Sequence, residues 1–132
     1  MSTKIFVNLP VQDLQKSIDF FTKVGYSFNP QFTDENATCM IISEDIYAML
    51  LTHSHFKQFT SREIIDATKS VETLIALSCD SREEVDALVD RALEAGGTEA
   101  GKQDHGFMYN RSYADLDGHV WEILWMDPAA VQ

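Results

Sequence analysis

The chain has 132 residues, is 45% hydrophobic and 23% charged, and carries a formal net charge of -11. That length suits one domain with a real core, and the acidic balance speaks against nucleic acid and anionic membranes as partners, since phosphates are bound by clustered Lys and Arg. No apolar run approaches the ~20 residues that span a bilayer, the two cysteines, Cys39 and Cys79, give no disulfide framework, and no signal-peptide pattern precedes the first apolar run, so a cytoplasmic location is expected.

Residues 4–9 read as a buried strand. Asp13 is a good N-cap, Leu14, Ile18, Phe21 and Val24 form a helical stripe, and Gly25 stops the helix. Tyr26 to Phe28 and the stretch around Phe32 read as a second strand, with a turn at Asn29-Pro30. Asp34-Glu35-Asn36 is a hairpin turn before a third strand, Ala37 to Ser43, and Glu44-Asp45 another before a fourth, Ile46 to Thr52. Residues 53–72 are the least regular. His53, His55, Phe56 and Phe59 fall in a loop, and Ser61 to Asp66 reads as a short helix.

Thr73 to Ser78 begins the second half as a strand. Ser81 with Glu84 resembles a capping box, and Val85, Leu88, Val89 and Ala92 share the face of the helix that follows. Gly96-Gly97 closes it. Thr98 to Ala100 is a short strand, Gly106 to Ala114 another and His119 to Met126 the last, with Asp117-Gly118 a strong hairpin signal. The order of strand, helix, glycine stop and further strands therefore occurs twice. A duplicated unit implies halves that do not bury their apolar faces alone, and a site where they meet.

Strand alternation picks out the candidate residues. Val120, Glu122 and Leu124 share one face of the last strand, and Trp121, Ile123 and Trp125 the other. A carboxylate in so apolar a strand needs a partner, solvent or a ligand. Phe6 and Asn8 share a face of the first strand; Asn8 reads either as a ligand contact or as an amide pinning two strands. His105, before Gly106, reads as a ligand contact, a proton donor or a turn residue. Phe107, Tyr109 and Arg111 alternate on one face. The Arg111 fork suits a carboxylate or phosphate, or a salt bridge with one of the many acids. Cys39 and Cys79 read as small core residues. No Ser-His-Asp arrangement and no glycine-rich phosphate loop is present.

Three stretches carry a family resemblance: Val11 to Phe21, Ala95-Gly96-Gly97, and Asp115-Leu116-Asp117-Gly118-His119-Val120-Trp121-Glu122-Ile123. The chain resembles the vicinal oxygen chelate superfamily, which includes glyoxalase I, bleomycin-resistance proteins and extradiol dioxygenases. Phe6 to Val11 and Asp104 to Tyr109 resemble most closely the bacterial glyoxalase-like group labelled predicted lactoylglutathione lyase. The resemblance implies an α+β fold, one glyoxalase-like domain over residues 1–132, with a βαβββ module at about 1–60 and a second at about 70–127, whose curved mixed sheets enclose a cleft.

It also implies four metal-binding positions in metal-dependent members. They fall on Phe6, near Leu50, on Leu74 and on Glu122, and only Glu122 is a ligand type. The expected function is therefore binding or transforming a small, partly apolar organic molecule in the cleft between modules, without the usual four-ligand metal. Glu122 and His105 are the expected catalytic residues. Phe6, Asn8, Leu50, Leu74, Phe107, Tyr109 and Arg111 are the expected ligand contacts. No cofactor is expected. The alternatives are a metal-dependent lactoylglutathione lyase with a divalent metal on Glu122, and a non-catalytic sequestering protein. A homodimer is expected, with the Trp121 and Trp125 face and the segment Phe56 to Ile65 as candidate contacts.

Overall fold

The structure is a computed structural model and describes residues 2–130. It divides into two compact units, one ending at Ile65 and the other starting at Asp66. Each is a βαβββ unit, so the fold is α+β with two four-stranded mixed sheets.

The first unit contains β1 (Ile5–Val11), α1 (Leu14–Val24), β2 (Ser27–Asn29), β3 (Ala37–Ser43), β4 (Ile46–Thr52) and the short α2 (His53–Phe56). Its sheet runs β1-β4-β3-β2, with β1 parallel to β4. α1 starts where expected: the Asp13 side chain accepts from the Lys16 N–H, satisfying one of the orphan donors of the first turn. It stops at Gly25, whose φ of 127° suits a residue without Cβ. Leu14, Phe20, Phe21 and Val24 form its buried stripe.

The second unit contains β5 (Leu74–Ser78), α3 (Arg82–Glu94), β6 (Thr98–Asp104), β7 (Met108–Ala114) and β8 (Val120–Met126). Its sheet order, β5-β8-β7-β6, repeats that of the first unit, with β5 parallel to β8. Ser81 caps α3 by accepting from the Glu84 N–H, and Glu84 answers by accepting from the Asp80 N–H.

Four local expectations need correction. Phe32 is not in a strand: Pro30–Phe32 is a single 3-10 turn, set by Pro30 and by Asn29, which accepts from the Gln31 N–H. Residues 61–66 form no helix. The helix of this region is instead α2, where Thr52 caps the two histidines expected in a loop. β6 runs to Asp104 rather than ending at Ala100, because a register shift between Glu99 and Gly101 absorbs one residue and the pairing with β7 continues.

Each sheet has one face closed by a helix; the other, the open face, is exposed at Phe6 and Leu74 but buried at Cys39, Leu51 and Ser112. In the first, the fully buried Thr38, Met40, Ala48 and Leu50 share the closed face with Leu9 and Val11. In the second, Tyr113, Trp121 and Ile123 are fully buried, as are Val85, Val89 and Ala92 of α3.

Candidate functional site

The register of β8 sets the candidate site. Ala76 of β5 and Ser112 of β7 stand on either side of Glu122, and Leu74 stands beside Val120. Residues opposite each other in a ladder point to the same face. The open face of the second sheet therefore carries Leu74, Ala76, Asn110, Ser112, Val120, Glu122 and Leu124. Gly101 of β6 faces Ser112 and completes the row. The alternation expected for β8 holds: Trp121 and Ile123 are fully buried, while Val120, Glu122 and Leu124 are partly exposed. The Glu122 carboxylate makes no hydrogen bond or ion pair with any described residue.

The other face of the same sheet is structural. Tyr109, Arg111 and Tyr113 point toward α3. Arg111 is 8% exposed and its guanidinium donates to Asp86 Oδ1 at 3.0 Å, Asp90 Oδ1 at 2.9 Å and Glu99 Oε2 at 3.3 Å. Burial works against that charge, and the bonds to Asp90, Asp86 and Glu99 more than offset it, so the Arg111 pKa lies above its ordinary value. The Tyr109 hydroxyl donates to Asp86 Oδ1 at 2.6 Å. Burial, reinforced by the Asp86 carboxylate, pushes the phenol up to about 12. The structure places Tyr109 and Arg111, both expected as ligand contacts, on the helix face and away from Glu122: odd positions of β7 point to the helix, even ones to the other face.

Leu50 is corrected for the same reason. It pairs with Leu9 of β1 and Thr38 of β3 on the closed face and is fully buried. The open face of the first sheet carries Phe6, Asn8, Tyr47 and Met49 instead. Phe6 stacks on Tyr47, with ring centroids 4.9 Å apart and planes within 12°. Asn8 Nδ2 donates at 3.2 Å to the Phe6 carbonyl of its own strand. Met49 stands beside Asn8 where Glu122 stands beside Ala76, so the carboxylate is a feature of the second unit alone.

His105 and Phe107 belong to the β6–β7 turn. The His105 N–H donates to the Met108 carbonyl, and Met108 pairs with Met126. Met126 lies four residues beyond Glu122, or about 13 Å along the strand. His105 and Glu122 thus sit at different levels of one sheet and do not share a proton. Phe107 is half-exposed, and its carbonyl accepts from the Asp127 N–H. Arg82 braces this turn: it grips Asp104 through two bonds of 2.9 and 2.8 Å, donates to the Gly106 carbonyl, and lies over the Tyr109 and Trp125 rings.

Sequence reasoning missed Ser112, Asn110 and Gly101. The signal was present, since the alternation that unites Tyr109 with Arg111 puts Asn110 and Ser112 with Glu122. Gly101 was hidden by the register shift. Asp115 was also passed over. Its buried carboxylate accepts from the Asp117 and His119 N–H groups and from Trp121 Nε1, tying the β7–β8 turn to the core. Burial pushes this carboxyl above its usual range, opposed by His119 and by the three donors.

Two repeated units of strand, helix and three further strands, each closing one sheet face with its helix, define a recognisable class. The chain shares its fold with the glyoxalase/bleomycin resistance/dioxygenase proteins. A family described as bleomycin resistance protein-like N-terminal matches residues 3–43. A hypothetical protein from S. aureus is 31% identical, with 95% of each chain covered and a TM-score of 0.78. A glyoxalase-related enzyme from Fulvimarina pelagi is 19% identical over 95% of this chain and 88% of its own, with a TM-score of 0.79. A fosfomycin resistance protein from Mesorhizobium loti is 13% identical over 98% and 97%, with a TM-score of 0.71. No curated protein matches the chain.

The divalent metal that the family resemblance implies does not fit the donors found here. Glu122 is flanked in its sheet by Ala76, Ser112, Val120 and Leu124, none of which is a carboxylate, imidazole or thiolate. Among the described residues, no three His, Cys, Asp or Glu side chains gather where they could hold a metal ion. Divalent metals need several strong N, O or S donors.

Proposed function

We propose that the chain binds a small, partly apolar organic molecule against the open face of its second sheet, as a glyoxalase/bleomycin-resistance-type protein that works without the usual four-ligand metal. The observation that carries this reading is the Glu122 carboxylate, unpartnered in a row of small and aliphatic side chains. A carboxylate beside Val120 and Leu124 is costly unless something compensates it. Ligand sites typically combine apolar lining with a few placed polar groups. If the bound molecule is also transformed, Glu122 is the residue to move its proton, and Ser112 the nearest hydroxyl to orient it.

The same reading takes the working form as a cytoplasmic homodimer, on the sequence expectations given above. Among the described residues, no helix is long and apolar enough to cross a membrane.

Elemental analysis of the purified protein, followed by assay with the glutathione–methylglyoxal adduct, tests the reading. The expected result is substoichiometric metal and no turnover of that adduct. One tightly held divalent ion per chain, with turnover that falls in Glu122→Gln, would replace this reading by metal-dependent lactoylglutathione lyase.

A further inference from the structure

Resting on the reading of this open face as a ligand site, we propose that its ligand presents a protonated amine. The ammonium group is held jointly by the Glu122 carboxylate and the Ser112 hydroxyl, and Gly101 is kept without a side chain so that the hydroxyl stays available.

Backbone register supplies the juxtaposition. Ser112 pairs with Glu122 across β7 and β8, and with Gly101 across β6 and β7. Directly opposed residues of an antiparallel pair have Cα atoms about 4.5–5.5 Å apart. One ammonium group, with three donors, reaches both acceptors at that spacing.

Charge sets the chemical class. Neither Ala76 and Ser112 beside Glu122 nor Val120 and Leu124 along its strand carries a positive charge. Arg111, the neighbour of Ser112 in sequence, is committed to Asp86, Asp90 and Glu99 on the other face. No residue of the unit compensates Glu122, which stays partly exposed, so its charge is met by solvent or by a cationic ligand, and the chain's net charge of -11 disfavours an anionic one. A divalent ion is the wrong cation, because one carboxylate and one hydroxyl fall short of its coordination needs.

Ser112 supplies the second, independent sign. It is only 6% exposed, yet its side chain makes no hydrogen bond to any described residue. The residue is enclosed, but its hydroxyl oxygen keeps access to solvent or to a ligand. The register shift between Glu99 and Gly101 brings a glycine opposite it, and a Cβ at position 101 would stand 3.1 Å from Ser112 Oγ. Any side chain there would crowd the hydroxyl.

Three probes with one fluorophore separate the possibilities: dansylcadaverine, a primary amine; dansylamide, neutral; and dansylglycine, a carboxylate. Titrated by fluorescence against the wild type, dansylcadaverine should bind at least about tenfold tighter than dansylglycine, with dansylamide between them. In Glu122→Gln the three should converge to within about twofold, and in Ser112→Ala and Gly101→Ala the amine should weaken by about three- to fivefold. Glu63→Gln, an exposed change of equal charge in the other unit, serves as the control and should keep the preference. Far-UV circular dichroism checks that each variant is folded, and Ser112→Ala carries the test if Glu122→Gln is not. An amine preference that survives in Glu122→Gln and Ser112→Ala, or falls equally in Glu63→Gln, overturns the inference and leaves small-molecule binding standing. Failure of all three probes to bind overturns the binding reading itself.

Discussion

At the level of single residues, two charged groups of the second unit behave in opposite ways, and the direction of one strand decides which. Arg111 points to α3 and is consumed by structure; Glu122 points away and is left over. Arg111→Leu should destabilise the fold by about 2 kcal/mol, less than breaking a fully buried ion pair because the three acids are each nearly half exposed or more. Chemical denaturation checks this. Glu122→Gln should cost under about 0.5 kcal/mol, since no described partner is lost. The Tyr109 hydroxyl, and after it Arg111, hold the Asp86 carboxyl below its ordinary value. A depressed acid contributes stability above its unfolded pKa, about 3.9, and loses that contribution as pH falls through its lower folded value. Melting temperature should therefore drop as pH falls below about 4, and less steeply in Asp86→Asn; equal slopes would remove Asp86 as a source.

At the level of elements, turn chemistry and caps were plain in the sequence, and faces were not always. Asp13, Gly25, Ser81 with Glu84, and Asp117-Gly118 mark helix and hairpin ends because each meets a specific backbone need. The Asp117-Gly118 turn gives the sharpest test. Gly118 has φ of 90°, and a Cβ there would lie 2.7 Å from the Thr68 backbone nitrogen. Gly118→Ala should cost about 2–3 kcal/mol, read as a lower melting temperature with β8 and Asp115 disturbed together. A near-neutral effect would contradict the close approach. That Leu50 lies on the closed face was not legible, because both faces of β4 are apolar, so alternation carries no signal there and only register decides. The helix expected at 61–66 failed because a short polar stretch without tertiary packing does not hold a helix. The true helix at His53–Phe56 is a single capped turn, too short to leave a periodic pattern.

At the level of the whole molecule, duplication was legible as a repeated order of elements, and the two sheets repeat it strand for strand. What the repeat concealed is that its halves are chemically unlike: stacked Phe6 and Tyr47 on one open face, a lone carboxylate beside a serine on the other. A homodimer remains our expectation, but not through Trp121 or Trp125. Trp121 is fully buried with its Nε1 committed to Asp115, and Trp125 lies under Arg82. Phe59 and Ile65 are exposed and stay available for the contact. Light scattering at micromolar concentration should give twice the chain mass, with Phe59→Ser shifting it toward the monomer. A monomer mass for the wild type would remove the assembly.

The central claim is that Glu122 and its sheet neighbours form the ligand face, with no metal required. Amide shift mapping of the isotope-labelled, EDTA-treated protein during titration with dansylcadaverine tests it most directly. The predicted result is saturable shifts centred on Ala76, Gly101, Asn110, Ser112, Glu122 and Leu124, lost in Glu122→Gln. Shifts centred on Asp86, Asp90 and Arg111 instead, or binding that disappears on EDTA treatment and returns with a divalent ion, would contradict it.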